Sequence, residues 1–163
     1  MTEIYQQKIV PVMLDIPAED LCQRRYGLNP ETGRYSHPKG CPNYGKKPTC
    51  PPFAPLWNET CDMATWVIWK RFNLAEQRER MKILQPTWAE QPRRLECCLY
   101  WQKGARKPLK DFIKKWNMLG FFTTMVPEAM GINVTETMRQ IGVILEWPPE
   151  TWTYQVAMGG WLK

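Results

Sequence analysis

The apolar positions of this chain change period along its length, and each change marks an element. Residues 3–15 carry Ile4, Ile9, Val10 and Val12 among polar neighbours and predict a strand. Pro17 then opens a short helix over residues 18–25, which Gly27 ends and which carries Cys22. From residue 28 to 57 neither a helical nor a strand period is found. Asn29-Pro30, Thr32-Gly33, His37-Pro38, Lys39-Gly40 and further prolines at 51, 52 and 55 punctuate that stretch. A loop of about 30 residues inside a compact domain is unusual unless something organises it, and a metal is such an organiser.

Regular periods return afterwards. The run from Thr65 to Phe72 is β-branched and aromatic, so it predicts a central strand. Residues 74–84 read as a charged helix that stops before Pro86. Residues 93–102 predict another helix, with Leu95, Cys98, Leu99 and Gln102 on one face, interrupted by Gly104 and Pro108. The next helix carries Leu109, Phe112, Ile113 and Trp116 at core-facing spacing. Asn133 caps a further helix with Glu136 three residues on, and Val134, Met138 and Ile141 form its stripe up to Gly142. Residues 143–147 and 151–158 predict two strands around Pro148-Pro149. The interleaving lacks a strict βαβ rhythm. The expected fold is therefore α+β: one domain over residues 1–163, with a small mixed sheet, about four helices and a long metal-organised N-terminal loop over 28–57.

Composition sharpens the chemistry. No segment approaches the roughly 18 apolar residues that a membrane span needs, and the first residues lack the basic and apolar regions of a signal peptide. The expectation is a cytoplasmic protein with no membrane partner. In a reducing compartment disulfides are rare, so clustered cysteines among the six are metal ligands or catalytic groups. The plainer alternatives are buried thiols or a disulfide framework. The net charge of +6 permits nucleic-acid contact without requiring it. No phosphate loop, Ser-His-Asp set or HExxH motif is present.

The informative segment runs from Gly40-Cys41-Pro42 to Cys50-Pro51-Pro52-Phe53. Its two cysteines are separated by eight residues rich in glycine, proline and lysine, and each is followed by proline. Tight turns aim backbone N–H groups at ligating sulfurs, and proline stiffens the chain so that less entropy is lost on binding. Cys22 and Cys61 flank this loop, with eighteen residues between Cys22 and Cys41 and ten between Cys50 and Cys61. That spacing lacks the Cys-x-x-Cys knuckles of most structural zinc sites, and the single histidine, His37, makes a Cys₂His₂ site impossible. His37 itself reads as a solvated loop residue. The expected ligand set is Cys22, Cys41, Cys50 and Cys61, holding an iron–sulfur cluster of the [4Fe-4S] type, with zinc as the alternative. Cys97 and Cys98 are adjacent and would point about 100° apart on a helix. Cys98 reads as a small core residue, whereas Cys97 is either within reach of a cluster or a free thiol.

The segment Cys41-Pro42-Asn43-Tyr44-Gly45 through Cys50-Pro51-Pro52-Phe53 resembles the cysteine signature of an uncharacterised prokaryotic family described as predicted metal-binding proteins. Tyr100-Trp101-Gln102-Lys103-Gly104-Ala105-Arg106-Lys107 and Pro127-Glu128-Ala129-Met130-Gly131-Ile132-Asn133-Val134 are similar to later stretches of it, so the resemblance covers most of the chain. It implies a metal or iron–sulfur centre with Cys41 and Cys50 as ligands and Cys22 as the upstream cysteine. The chain departs from the pattern in the longer distance from Cys22 to Cys41, in Cys61 and in Pro108.

Three functions follow for such a centre. Four thiolates make a closed cluster for electron transfer with a redox partner, for redox sensing or for structure. Three thiolates leave an iron open for catalysis, for example the desulfuration of a thio-nucleobase. The third is a zinc-stabilised nucleic-acid-binding or accessory protein. It would use Arg93, Arg94, Lys103, Arg106, Lys107, Lys110, Lys114 and Lys115, with Arg106, Lys110 and Lys114 aligned if Pro108 leaves the helix whole.

Overall fold

The computed structural model describes residues 3–23 and 41–163. Its centre is a four-stranded antiparallel sheet. The strand β2 (Thr65–Asn73) pairs on one side with β1 (Tyr5–Ile9), Tyr5 standing opposite Trp69. On its other side it pairs with β4 (Trp152–Gly160), Val67 standing opposite Met158. The short β3 (Phe122–Thr124) closes the far edge, giving the order β1-β2-β4-β3. The α+β expectation stands, but all the pairings are antiparallel, so the sheet is not mixed.

Successive side chains of a strand point to opposite faces. Val67 and Ile68 are neighbours in β2 and both are 0% exposed, so both faces of the sheet are covered. Over one face lies the helix α5 (Gln102–Asn117), which brings Leu109 and Ile113 onto Ile68 and Ala157. Over the other lie Trp57, Met130, Ile132, Val134 and Met138, packed on Val67 and Met158. Trp57 opens the single-turn helix α2 (Trp57–Thr60), and Val134 and Met138 belong to α6 (Val134–Gln140). Asn133 caps α6 as predicted, its Oδ1 accepting from the Glu136 N–H at 3.1 Å. Asn73 does the same for α3 (Leu74–Leu84), accepting from the Glu76 N–H at 2.9 Å.

Several boundaries differ from the sequence reading, each for a physical reason. The first strand ends at Ile9. Beyond Pro11 the chain leaves the sheet, donating from the Leu14 N–H to the Gly131 carbonyl at 2.8 Å and bridging Met13 to Ile132. Residues 93–102 do not form one helix. They give a turn of helix, α4 (Pro92–Leu95), and a 3-10 turn over Cys98–Tyr100. Only Leu95 is buried there and Leu99 is 83% exposed, so no apolar stripe rewards a helix. Cys98 is accordingly exposed rather than a core residue.

Conversely, α5 runs through Gly104 and Pro108 without interruption. An interior proline costs about 3 kcal/mol. Burial of Leu109 and Ile113 beside it contributes about 1.5–3 kcal/mol each and offsets that cost. Residues 143–147 alternate as a strand would, Val143 and Leu145 packing on the core, but no strand partners them. Instead the Glu146 carboxylate accepts the N–H groups of Glu150 and Thr151, each at 2.8 Å, and that of Trp152 at 3.3 Å, turning the chain into β4. The three-residue β3 is too short to leave a periodic signal. Of the expected loop over 28–57, residues 28–40 lie outside the described residues.

Candidate metal centre

Cys22 sits near the end of the helix α1 (Ala18–Gln23), which packs on the 3-10 turn Pro127–Met130. Cys41 and Cys50 sit on consecutive turns that fold back on themselves. The Tyr44 N–H donates to the Cys41 carbonyl, the Cys50 N–H to Lys47, and the Phe53 and Ala54 N–H groups to Cys50. Gly45, at φ +66°, donates to the Pro51 carbonyl at 2.9 Å and so closes the segment between the two cysteines. That left-handed conformation is the one glycine adopts without strain, and it is why a glycine stands there.

The two pieces are tied together at the cysteines themselves. The Cys41 N–H donates to the Cys22 carbonyl at 2.7 Å. Cys41 and Cys50 are the neighbours that act electrostatically on the Cys22 thiol. Burial pushes the Cys22 thiol above its ordinary range, and the neighbouring Cys41 and Cys50 push it further the same way. All three cysteines are half-buried and free of disulfides. Among the described residues, however, no group of three His, Cys, Asp or Glu side chains is drawn to the spacing of a coordination shell. The donor set is a chemically sound one for iron–sulfur or zinc, since soft thiolates favour both.

Cys61 has a different setting. It is 0% exposed and belongs to the core cluster of Trp57, Met130 and Met158. A Cβ on Gly160 would stand 3.4 Å from the Cys61 Cβ, so β4 presses directly on it. Burial pushes its thiol up to about 11, and the charged groups that bear on it are Asp62 and Lys163, not other cysteines. The structure thus ties Cys22 to Cys41 through their backbones, sets Cys50 on the next turn of the same segment and puts Cys61 in the interior. Cys97 is half-buried and Cys98 exposed, both far along the chain between α4 and α5. His37 lies outside the described residues.

The basic residues of α5 also arrange themselves differently from the expectation. Arg106 turns inward and donates to the Met125 carbonyl at 3.0 Å. The exposed stripe is instead Lys103, Lys107, Lys110 and Lys114, the i, i+4, i+7 and i+11 positions of one helix face. Asp111 pairs with Lys107 and, at 3.8 Å, with Lys114. Lys110 and Lys114 thus align as expected for a helix that Pro108 leaves whole, and Arg106 does not join them. Among the described residues no helix is long and apolar enough to cross a membrane.

No protein-family model, no curated protein and no solved structure matches this chain.

Proposed function

We propose that this chain is a metal-binding protein whose centre, an iron–sulfur cluster, is held by the thiolates of Cys22, Cys41 and Cys50. The observation that carries the reading is the tie between Cys22 and Cys41. A helix and a turn with eighteen residues between their cysteines are joined by a 2.7 Å backbone bond, and the neighbouring cysteines act on the Cys22 thiol. Backbone bonds that hold two ligating segments in place lower the entropy lost when a metal binds. The setting of Cys61 inside the core supports three protein thiolates rather than four. That favours a centre open to an external ligand, and hence a cluster-dependent enzyme, over a closed electron carrier.

When bound, such a group supplies an electron store and a Lewis-acidic iron at any position that no protein thiolate fills. The chain's own part is to present sulfur donors and to control their protons. Cys22, whose thiol is held up by burial and by its two neighbours, keeps its proton until a metal displaces it. Binding therefore releases a proton, and affinity rises with pH. The turn residues Gly45 and Pro51 fix the distance along the chain between Cys41 and Cys50.

Anaerobic reconstitution followed by iron, sulfide and zinc analysis tests this. Cys22→Ser, Cys41→Ser and Cys50→Ser should each lose most of the bound metal while remaining folded by far-UV circular dichroism. Cys61→Ser, with Cys61→Ala as a second variant, should keep the wild-type stoichiometry. Metal loss in a folded Cys61 variant equal to that in Cys41→Ser would overturn the three-thiolate centre. Zinc without sulfide in the wild-type protein would replace the cluster by an ion on the same cysteines.

A further inference from the structure

The lysine stripe of α5 runs into an apolar tip. Met118 keeps a right-handed helical conformation, and its N–H donates to the Lys114 carbonyl at 3.3 Å, so it stands one turn beyond Lys114 on the same stripe. Leu119 follows Lys115 by four residues. Both side chains are apolar, yet Met118 is 86% exposed and Leu119 72%. Gly120, at φ +86°, then reverses the chain in a left-handed turn. Trp161 lies over that turn. A Cβ on Gly120 would stand 3.6 Å from its ring, and the ring centre is 3.9 Å from that of Phe121. Trp161 is itself 50% exposed. Three large apolar side chains from two distant parts of the chain thus gather at one projecting turn.

The tip is flanked by cations. Lys103, Lys107, Lys110, Lys114 and Lys115 are all exposed on α5. Two carboxylates belong to the region. Asp111 is already paired with Lys107 and Lys114, and Asp62 follows the chain beside Trp161, its N–H donating to the Trp161 carbonyl at 3.0 Å. An apolar tip ringed by ammonium groups complements a surface that is anionic outside and apolar within. Protein interfaces draw on arginine and are depleted in lysine. The one arginine of α5, Arg106, turns inward to the Met125 carbonyl. Membrane interfaces favour tryptophan at the headgroup level and lysines whose long stems let the ammonium reach phosphate. A nucleic acid would engage the lysines through its phosphates and leave Met118 and Leu119 in water.

From this juxtaposition we infer that the C-terminal end of α5 docks on the surface of an anionic lipid bilayer, with Met118, Leu119 and Trp161 entering the headgroup region and Lys110, Lys114 and Lys115 lying on its phosphates. Among the described residues no helix is long enough and apolar enough to cross a membrane, so the attachment is interfacial. It departs from the sequence expectation of no membrane partner, and it stands independently of the metal centre.

The test sediments the full chain with vesicles of phosphatidylcholine alone or with about 30% phosphatidylserine, whose charge attracts basic segments. The protein should pellet with the anionic vesicles and not with the neutral ones. That binding should weaken about tenfold or more between about 0.1 and 0.5 M salt, as screening sets in. The Met118→Ser, Leu119→Ser double variant should bind about tenfold or more weakly, having lost the apolar insertion. Lys110→Gln and Lys115→Gln should each weaken binding about fivefold. All four side chains are exposed, so these variants should fold as the wild type does. Vesicles with brominated acyl chains should quench part of the tryptophan fluorescence, and that part should be missing in Trp161→Phe. No binding to anionic vesicles, equal binding to neutral ones, unchanged binding by the serine double variant, or undiminished quenching in Trp161→Phe overturns the inference. So does binding of a single-stranded RNA, in the absence of vesicle binding, that the lysine variants lose and the serine variant keeps; the stripe would then belong to nucleic acid.

Discussion

Cys61 and the trio of Cys22, Cys41 and Cys50 belong to one chain and carry the same functional group, but they live in opposite physical environments. Cys61 is closed in by Trp57, Gly160 and the buried end of β4, where the sheet and its covering layer have no room for solvent. The trio stands half-exposed on a helix end and on turns whose backbone bonds run almost entirely within the segment 41–54. A thiol in the first setting acts as a small apolar side chain. Thiols in the second can exchange protons and meet a metal. On the proposed reading, what separates ligand from filler is what surrounds each cysteine and not its distance along the chain from the next one.

The largest expected contrast is in reactivity. In the reduced, metal-free protein Cys41 and Cys50 should be alkylated from the native state. Cys61 should react only through unfolding, whose population in a stable domain is about 10⁻³ or less. Its alkylation should thus be slower by about a thousandfold or more at neutral pH, and should accelerate in parallel with urea unfolding. Comparable rates for Cys61 and Cys50 would erase the distinction.

Next in size is the dependence of the sheet on its own packing. Trp57 is fully buried, donates from its indole N–H to the Thr65 Oγ1 at 3.0 Å and lies against Phe122. Trp57→Ala should cost about 3–5 kcal/mol by urea titration. Provided the variant is studied below its unfolding midpoint, its metal stoichiometry should stay at the wild-type value. Loss of metal at a denaturant concentration where the sheet is intact would show that the two regions are coupled.

How much of this was legible in the sequence follows the same division. The central strand, α3 over residues 74–84 and α6 with its Asn133 cap were readable because burial and capping impose short-range patterns, whereas the Asn73 cap of α3 went unread. Over residues 93–102 the sequence pattern misleads: Leu95, Cys98 and Leu99 fit a helical period, but Leu99 and Cys98 face solvent. The 143–147 segment has a true alternation and no partner strand, and pairing is a property of another part of the chain. Among the cysteines, the turn-forming residues around Cys41 and Cys50 marked those two as distinctive. Nothing local distinguished Cys61, because its burial comes from β4, about a hundred residues later. The apolar tip at the end of α5 was equally invisible, since Trp161 reaches Gly120 and Phe121 only through tertiary packing.

A smaller effect should appear at alkaline pH. The Cys61 thiol is raised by burial to about 11 from an ordinary 9.0. Between those values the folded chain holds a proton that the unfolded chain has released. Stability is then complete below about pH 9 and is lost as pH climbs toward 11, by on the order of 2 kcal/mol. Cys61→Ala should start from a lower stability, through its cavity, but show a shallower decline over that window. Parallel decline in the two proteins would mean that other groups cause it.

The smallest effect concerns how the sheet half holds its own turn, in contrast to a cysteine segment that relies on backbone bonds. The Glu146 carboxylate accepts three N–H groups from residues 150–152, and these bonds hold it below the ordinary carboxylate range. A folded-state value below the unfolded one stabilises the protein above the unfolded value, and this contribution is lost as pH falls through the folded one. Glu146→Gln keeps the shape and one accepting oxygen but removes the charge that titrates. The variant should therefore be slightly less stable than wild type at pH 7 and should converge with it at strongly acidic pH. Urea midpoints measured at both ends on metal-free protein check this. A constant difference at both ends would mean that the carboxylate's charge is not what fixes the turn into β4.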